Sequence, residues 1–177
     1  MNKILKEILS TSIYLLVVLI FTIVIVKYVA QSTQVLGDSM EPTLIDKDYL
    51  IVDKLSYNIG EPKRFDIVLF PFKYEKRTYY IKRIIGLPGE TVYIDDNGNI
   101  YINDKILHES YGNAVILKPG LAANKLCLGE DEYFVLGDNR NNSCDSRDPS
   151  VGIIKRDKIV GKALFRFWPV KSIKIVK

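Results

Sequence analysis

Few residues in this chain can carry chemistry. Its 177 residues include one histidine, His108, and two cysteines, Cys127 and Cys144. That set cannot build a His-rich metal site, and the cysteines form no C-x-x-C pair, which removes zinc ribbons and thioredoxin-type exchange. A Ser-His-Asp triad would have to use His108, which reads as a loop residue; it is followed by Glu109 but by no second histidine, so it is no zincin. The G-x-S-x-G elbow is absent, and no serine is followed by lysine three residues later. Nothing asks for a metal or another cofactor. Three segments remain: GDSMEPTL (Gly37–Leu44), YYIKRIIGLPGETV (Tyr79–Val92) and the polar stretch GDNRNNSCDSRD (Gly137–Asp148).

A serine hydroxyl is a poor nucleophile until a base takes its proton. With no histidine to spare, lysine is the natural base, provided its ammonium form is made unstable. Bringing a lysine from about 10.4 to 7–8 costs the charged form about 4 kcal/mol, and burial without a carboxylate partner achieves it. Lys82 fits. In a strand it shares a face with Tyr80 and Ile84, whereas Arg83 points the other way with Ile81 and Ile85. Ser39 lies between Gly37 and Pro42, so the chain turns sharply and presents the side chain. Plainer readings stay open: a half-exposed strand can carry a surface lysine, and a turn serine often bonds its own backbone.

The elements that must position these residues divide the chain at about residue 30. Ser12–Val26 reads SIYLLVVLIFTIVIV without one charge, and with its flanks it reaches the roughly 20 residues a bilayer needs. Lys3 and Lys6 before the span predict a cytoplasmic N-terminus and an exported remainder. The segment after the span lacks small residues at the two positions a signal-peptide cut requires, so an uncleaved anchor is expected over residues 1–30. Residues 31–177 then form one extracytoplasmic unit. Seven short runs rich in β-branched and aromatic residues predict strands: Tyr49–Asp53, Asp66–Phe70, Thr78–Ile85, Thr91–Asp95, Asn99–Asn103, Glu132–Leu136 and Lys162–Trp168. VYIDDNGNIYI alternates on both arms of an Asn-Gly bend, a hairpin; its loop lacks the glycine a calcium site needs at the sixth position. The expected fold is all-β, an antiparallel barrel-like or sandwich domain behind one transmembrane helix. The formal net charge of +4 is too small to argue for nucleic acid.

The three segments resemble, in order, the motifs of bacterial type I signal peptidases, and the resemblance runs through the anchor and residues 30–168. It implies a membrane-anchored β-domain that cuts signal peptides from exported preproteins with a serine–lysine dyad, Ser39 as nucleophile and Lys82 as general base. The Ser39 backbone N–H would hold the oxyanion. Some members add a serine hydroxyl two positions earlier, where this chain has Gly37, so a water or another amide is expected to serve as second donor. In the polar stretch, begun by Asp138, Asn139 and Arg140, the resemblance implies that Ser143 bonds the lysine amine and that Asp145 pairs with Arg147. By motif position Val35, Met40, Leu44, Tyr80 and Ile81 would line shallow pockets for Ala-type side chains one and three residues before the cut, along a peptide added to a strand edge; ordinary core packing is their plainer role. Trp168 fits either a lipid interface or a core. The expected partners are signal peptides, the bilayer and a nearby export translocon, with the protein acting as a monomer. Two free thiols are expected at Cys127 and Cys144. Residues 96–125 resemble nothing in particular, so a minimal catalytic core is expected. A restricted substrate range, such as pilin processing, and a non-enzymatic assembly role on the same fold are the alternatives.

Overall fold

The computed structural model describes residues 3–75 and 77–176. The ends of the two expected regions, at 1 and 177, lie outside the described residues. Helix α1 (Lys3–Val24) continues through a wider-wound turn, Ile25–Val29. Together they are long and apolar enough to cross a membrane, and no part of the protein buries their side chains. The stretch Ser12–Val26 carries no charge, and a run of that kind is ordinarily covered by other apolar matter. Lys54 Nζ reaches the Val26 carbonyl at 3.1 Å, tying the helix end to the domain.

Every strand pairing is antiparallel. Strand β1 (Ala30–Gln34) follows the helix directly and pairs with β2 (Tyr49–Asp53). A one-turn helix, α2 (Ser56–Ile59), leads to β3 (Ile67–Pro71) and β4 (Tyr79–Gly86). Next come β5 (Thr91–Ile94), β6 (Ile100–Ile102), β7 (Lys105–Ile106) and β8 (Leu126–Cys127), which form a small sheet in the order β7-β6-β5-β8. The chain then returns to the large sheet with β9 (Glu132–Leu136), β10 (Ile154–Lys155), β11 (Gly161–Trp168) and β12 (Lys174–Ile175). The order there is β1-β2-β11-β3-β4-β9-β10, with β12 on β11. The path is open at β1 and β10, so pairing among the described residues does not close a barrel.

The predicted hairpin is β5–β6. Val92, Ile94, Ile100 and Ile102 are all buried on one face, and Tyr93 faces Tyr101 on the other. Gly98 takes φ +79° in the bend, a conformation that favours glycine. Strand β4 is buried on both faces from Ile81 onward, which accounts for its near-continuous apolar run. Ile81 packs with Met40, Leu44 and Leu50; Ile84 packs with Val68 and Phe70; Ile85 packs with Val92 and Phe134 beneath the small sheet.

Five short strands were not evident from pattern: β1, β7, β8, β10 and β12. Four of them have two residues each, too few for an alternation to register, and β1 is the polar run AQSTQ. Trp168 is 52% exposed and is no core residue; Leu164, Val170, Ile173 and Ile175 are exposed on the same β11–β12 segment.

Candidate active site

Two registers bring the three segments together. Gln34 pairs with Tyr49, so residues 35–48 leave the sheet as one excursion carrying Ser39. The excursion is closed at its base by Val35 N–H to the Asp48 carbonyl, 2.8 Å, and Lys47 N–H to the Val35 carbonyl, 2.9 Å. Met40 and Leu44 are its buried anchors, while Ser39, just before Met40, stays half-exposed. On the other side Arg83 pairs with Leu136, so the polar stretch leaves β9 directly beside Lys82. It comes so close that a Cβ on Gly137 would collide with the Ser143 hydroxyl and the Ser39 carbonyl.

Lys82 Nζ lies 2.7 Å from Ser39 Oγ and 3.1 Å from the Ile81 carbonyl, with the Tyr80 ring 5.1 Å away. Lys82 is 4% exposed. Desolvation pushes its amine down from 10.5 to about 8, against the opposing pull of Asp145, Cys144 and Asp138. Both carboxylates are engaged by arginines. Asp145 accepts from Arg147 Nε and Nη2, each at 2.8 Å, and from the Gly137 N–H at 3.0 Å. Asp138 accepts from Arg83 at 2.8 and 2.7 Å and from Thr43 Oγ1 at 2.6 Å. A hydroxyl hydrogen-bonded to a desolvated amine can be deprotonated and acylated near neutral pH.

A cleft of about 380 Å³ opens beside this pair. Val35, Met40, Tyr80 and Ile81 line it as expected. Leu44 does not; it is fully buried in the core below, where it anchors the Ser39 turn. Thr33, Gln34, Leu36, Arg77, Thr78, Tyr79 and Cys144 complete the walls. Gln34 escaped notice because it belongs to the polar strand β1. Cys127 and Cys144 are both free thiols.

The polar stretch is arranged differently from the expectation at one point. Ser143 does not bond the lysine amine. Its hydroxyl is buried without a partner among the described residues, and the amine's bonds go to Ser39 and Ile81. The tight fit at Gly137 holds Ser143 against that glycine instead. Arg83, Tyr111 and Glu109 were not singled out by pattern. Arg83 is fully buried, and the Tyr111 ring covers its guanidinium at 3.6 Å. Glu109 pairs with Arg140 at 2.7 Å, and Asn113 N–H reaches the Asp138 carbonyl at 3.0 Å. Part of the stretch 96–125 thus braces the polar loop. A lysine–arginine pair in an apolar strand was the one available signal for Arg83, since a cation buried there needs a carboxylate. His108 is exposed, and among the described residues no three of His, Cys, Asp and Glu converge as metal ligands.

By its similarity to known proteins the chain is a peptidase, a hydrolase of peptide bonds. The model of the family described as "Signal peptidase, peptidase S26" matches residues 6–168. A curated relative from Synechocystis, "Probable signal peptidase I-2", is 42% identical over 151 residues, covering 82% of this chain and 66% of the relative. "Signal peptidase I" of Bacillus licheniformis is 36% identical over 167 residues, 90% of this chain and 88% of its own. "Signal peptidase I T" of Bacillus subtilis is 41% identical over 152 residues, 80% and 75% of the two chains. This chain belongs to the signal peptidase family of peptidases.

Proposed function

We propose that this protein is a membrane-anchored endopeptidase that removes N-terminal signal peptides from exported preproteins, with Ser39 as nucleophile and Lys82 as general base. The carrying observation is the 2.7 Å approach of a buried lysine amine, its pKa near 8, to the Ser39 hydroxyl. The relatives named signal peptidase I support the substrate class.

The reaction follows from those groups. Ser39 Oγ bonds to the scissile carbonyl carbon as its proton passes to Lys82 Nζ, and the carbonyl π pair moves onto oxygen. The resulting oxyanion faces the Ser39 N–H, which donates to no group among the described residues. Collapse breaks the C–N bond, and the leaving amine takes the proton from Lys82. Lys82 then accepts a proton from water as that water attacks the ester; collapse breaks the C–Oγ bond, Lys82 returns the proton to Ser39 Oγ, and the signal peptide leaves with its new carboxyl group. Gly37 offers no side-chain donor, so a water or backbone amide supplies the second hydrogen bond. The substrate lies extended along β1 and β4, where Val35, Met40, Tyr80 and Ile81 leave room for small side chains one and three residues before the cut.

Residues 1–30 serve as the anchor, with Lys3 and Lys6 on the cytoplasmic side and residues 31–177 outside. Exposed Trp168 and its apolar neighbours on β11–β12 suit the lipid interface.

Detergent-solubilised protein is incubated with a preprotein bearing an Ala-x-Ala site, beside Ser39→Ala and Lys82→Ala, and product termini are mapped by mass spectrometry. One cut after the second alanine, lost in both variants, is expected. Cutting that persists in Lys82→Ala would mean another base, and no cutting by folded wild type would overturn the assignment.

A further inference from the structure

Asn139 grips the backbone on both sides of Ser39. Its Nδ2 donates to the Asp38 carbonyl at 3.1 Å, and its own backbone N–H donates to the Ser39 carbonyl, also at 3.1 Å. The Asp38 carbonyl accepts a second bond, from Glu41 N–H at 3.1 Å. Only the amide nitrogen of an asparagine can face a carbonyl oxygen in this way.

The peptide joining Asp38 to Ser39 is trans; the cis bonds of the chain lie at Glu41–Pro42 and Trp168–Pro169. In a trans peptide the C=O and N–H point in opposite directions and can only turn together. Holding the Asp38 oxygen toward Asn139 therefore turns the Ser39 N–H away from the loop and leaves it unengaged. Just before it, Gly37 sits at φ +82° with its N–H donating to Asp46 Oδ1 at 2.8 Å and open space where a Cβ would stand, so it has no side chain to hold the 38–39 peptide. The contact is possible because Gly137 lets the loop approach the Ser39 carbonyl without a side chain between them.

We infer that Asn139 is a positioning residue for the oxyanion: its side chain fixes the 38–39 peptide plane so that the Ser39 N–H is already aimed when negative charge develops. This rests on the reading of Ser39 as nucleophile. It separates the two bonds by role, because a substitution at 139 removes the side-chain bond to Asp38 and leaves the backbone bond to Ser39 in place.

The test compares wild type, Asn139→Ala and Asn139→Asp on the Ala-x-Ala preprotein. It also measures binding of a small-residue peptide aldehyde, which forms a hemiacetal on Ser39, against the same peptide as a carboxamide. Asn139→Ala is expected to lower kcat by about 10- to 100-fold with KM changed less than about threefold, short of the 10²–10³ seen when such a donor is deleted outright. Asn139→Asp falls further, because a carboxylate cannot donate to the Asp38 oxygen and repels it. In Asn139→Ala, aldehyde affinity falls in step with kcat, carboxamide affinity does not, and the pH inflection of the lysine stays where it was. Unchanged kcat in Asn139→Ala, or equal losses for aldehyde and carboxamide, would overturn the inference while the peptidase reading stands. If Asn139→Ala does not fold, the isosteric Asn139→Asp carries the same comparison. Wild-type cutting that is lost in Ser39→Ala verifies the underlying reading separately; an inactive wild type overturns both.

Discussion

Arg83 and Asp138 form a fully buried ion pair in which Nε and Nη2 lie 2.8 and 2.7 Å from the two carboxylate oxygens. Arg83 is the residue after Lys82, and Asp138 is one of three groups whose charge pulls the lysine toward protonation. The pair thus keeps a structural carboxylate beside the amine while engaging most of its charge. Asp145 is treated in the same way by Arg147. Burial then dominates at Lys82, and its amine sits near 8.

Activity should follow the neutral amine. With the folded pKa of Lys82 at about 8, kcat/KM is expected to rise through an inflection near pH 8 and level off above it, measured on a peptide containing the cut site. A profile flat from pH 6 to 10 would remove Lys82 as the base. Arg147→Met leaves the Asp145 carboxylate without its guanidinium, so the inflection should move up by about one unit. An inflection that stays put would mean Asp145 does not act on Lys82.

The same burial costs stability. Below pH 8 Lys82 is protonated in both folded and unfolded states, and the folded state bears the whole cost of the buried ammonium. Between 8 and 10.5 only the unfolded chain holds the proton, so the penalty fades as pH rises, and above 10.5 it is gone. A drop from 10.5 to about 8 corresponds to about 3 kcal/mol. Lys82→Met is therefore expected to unfold at higher denaturant than wild type at pH 7 and to lose that advantage by pH 10.5. Equal midpoints at pH 7 would contradict a desolvated ammonium.

Removing one partner of the Arg83–Asp138 pair should be costly. Arg83→Met leaves Asp138 buried with Thr43 Oγ1 as its remaining side-chain donor, a loss of about 3–5 kcal/mol in denaturant unfolding. The double variant Arg83→Met/Asp138→Asn should recover part of it, since no charge is then stranded. Additive losses in the double variant would show that the pair is not coupled.

Cys144 lines the cleft beside Lys82 and Tyr80, whereas Cys127 lies exposed on β8, outside it. Alkylation by a bulky maleimide should block peptide cleavage in wild type and leave Cys144→Ser active, with a bound peptide slowing the inactivation. Inactivation of Cys144→Ser at the wild-type rate would place the sensitive group elsewhere.

Much of the framework was legible because it rests on local pattern. The N-terminal helix follows from a charge-free run, the strands Tyr49–Asp53 and Glu132–Leu136 coincide with their predicted bounds, and the 92–102 hairpin follows from alternation about Asn-Gly. Lys82 and Ser39 could be singled out because their segments resemble the motifs of type I signal peptidases; by residue chemistry alone a surface lysine and a turn serine stayed open. The short strands were not legible, since two-residue pairings such as Leu126–Cys127 are made by their partner strands rather than by their own pattern. Neither was the role of Leu44, whose apolar character suits a cleft wall and a core equally and which the fold commits to the core.

By itself the sequence determined the apolar N-terminal helix, the sheet-rich character and the segments that hold the candidate reactive groups, because hydropathy, period and residue chemistry are properties of short stretches. Only the tertiary structure decided that Arg83 takes Asp138, that Ser143 faces Gly137 and not the lysine, and that Asn139 tethers the Ser39 turn from 100 residues away. Those are choices among many possible partners for the same charges and donors. They are settled by strand register, above all the pairing of Arg83 with Leu136, which sets where the polar loop emerges and hence which groups come within hydrogen-bonding reach.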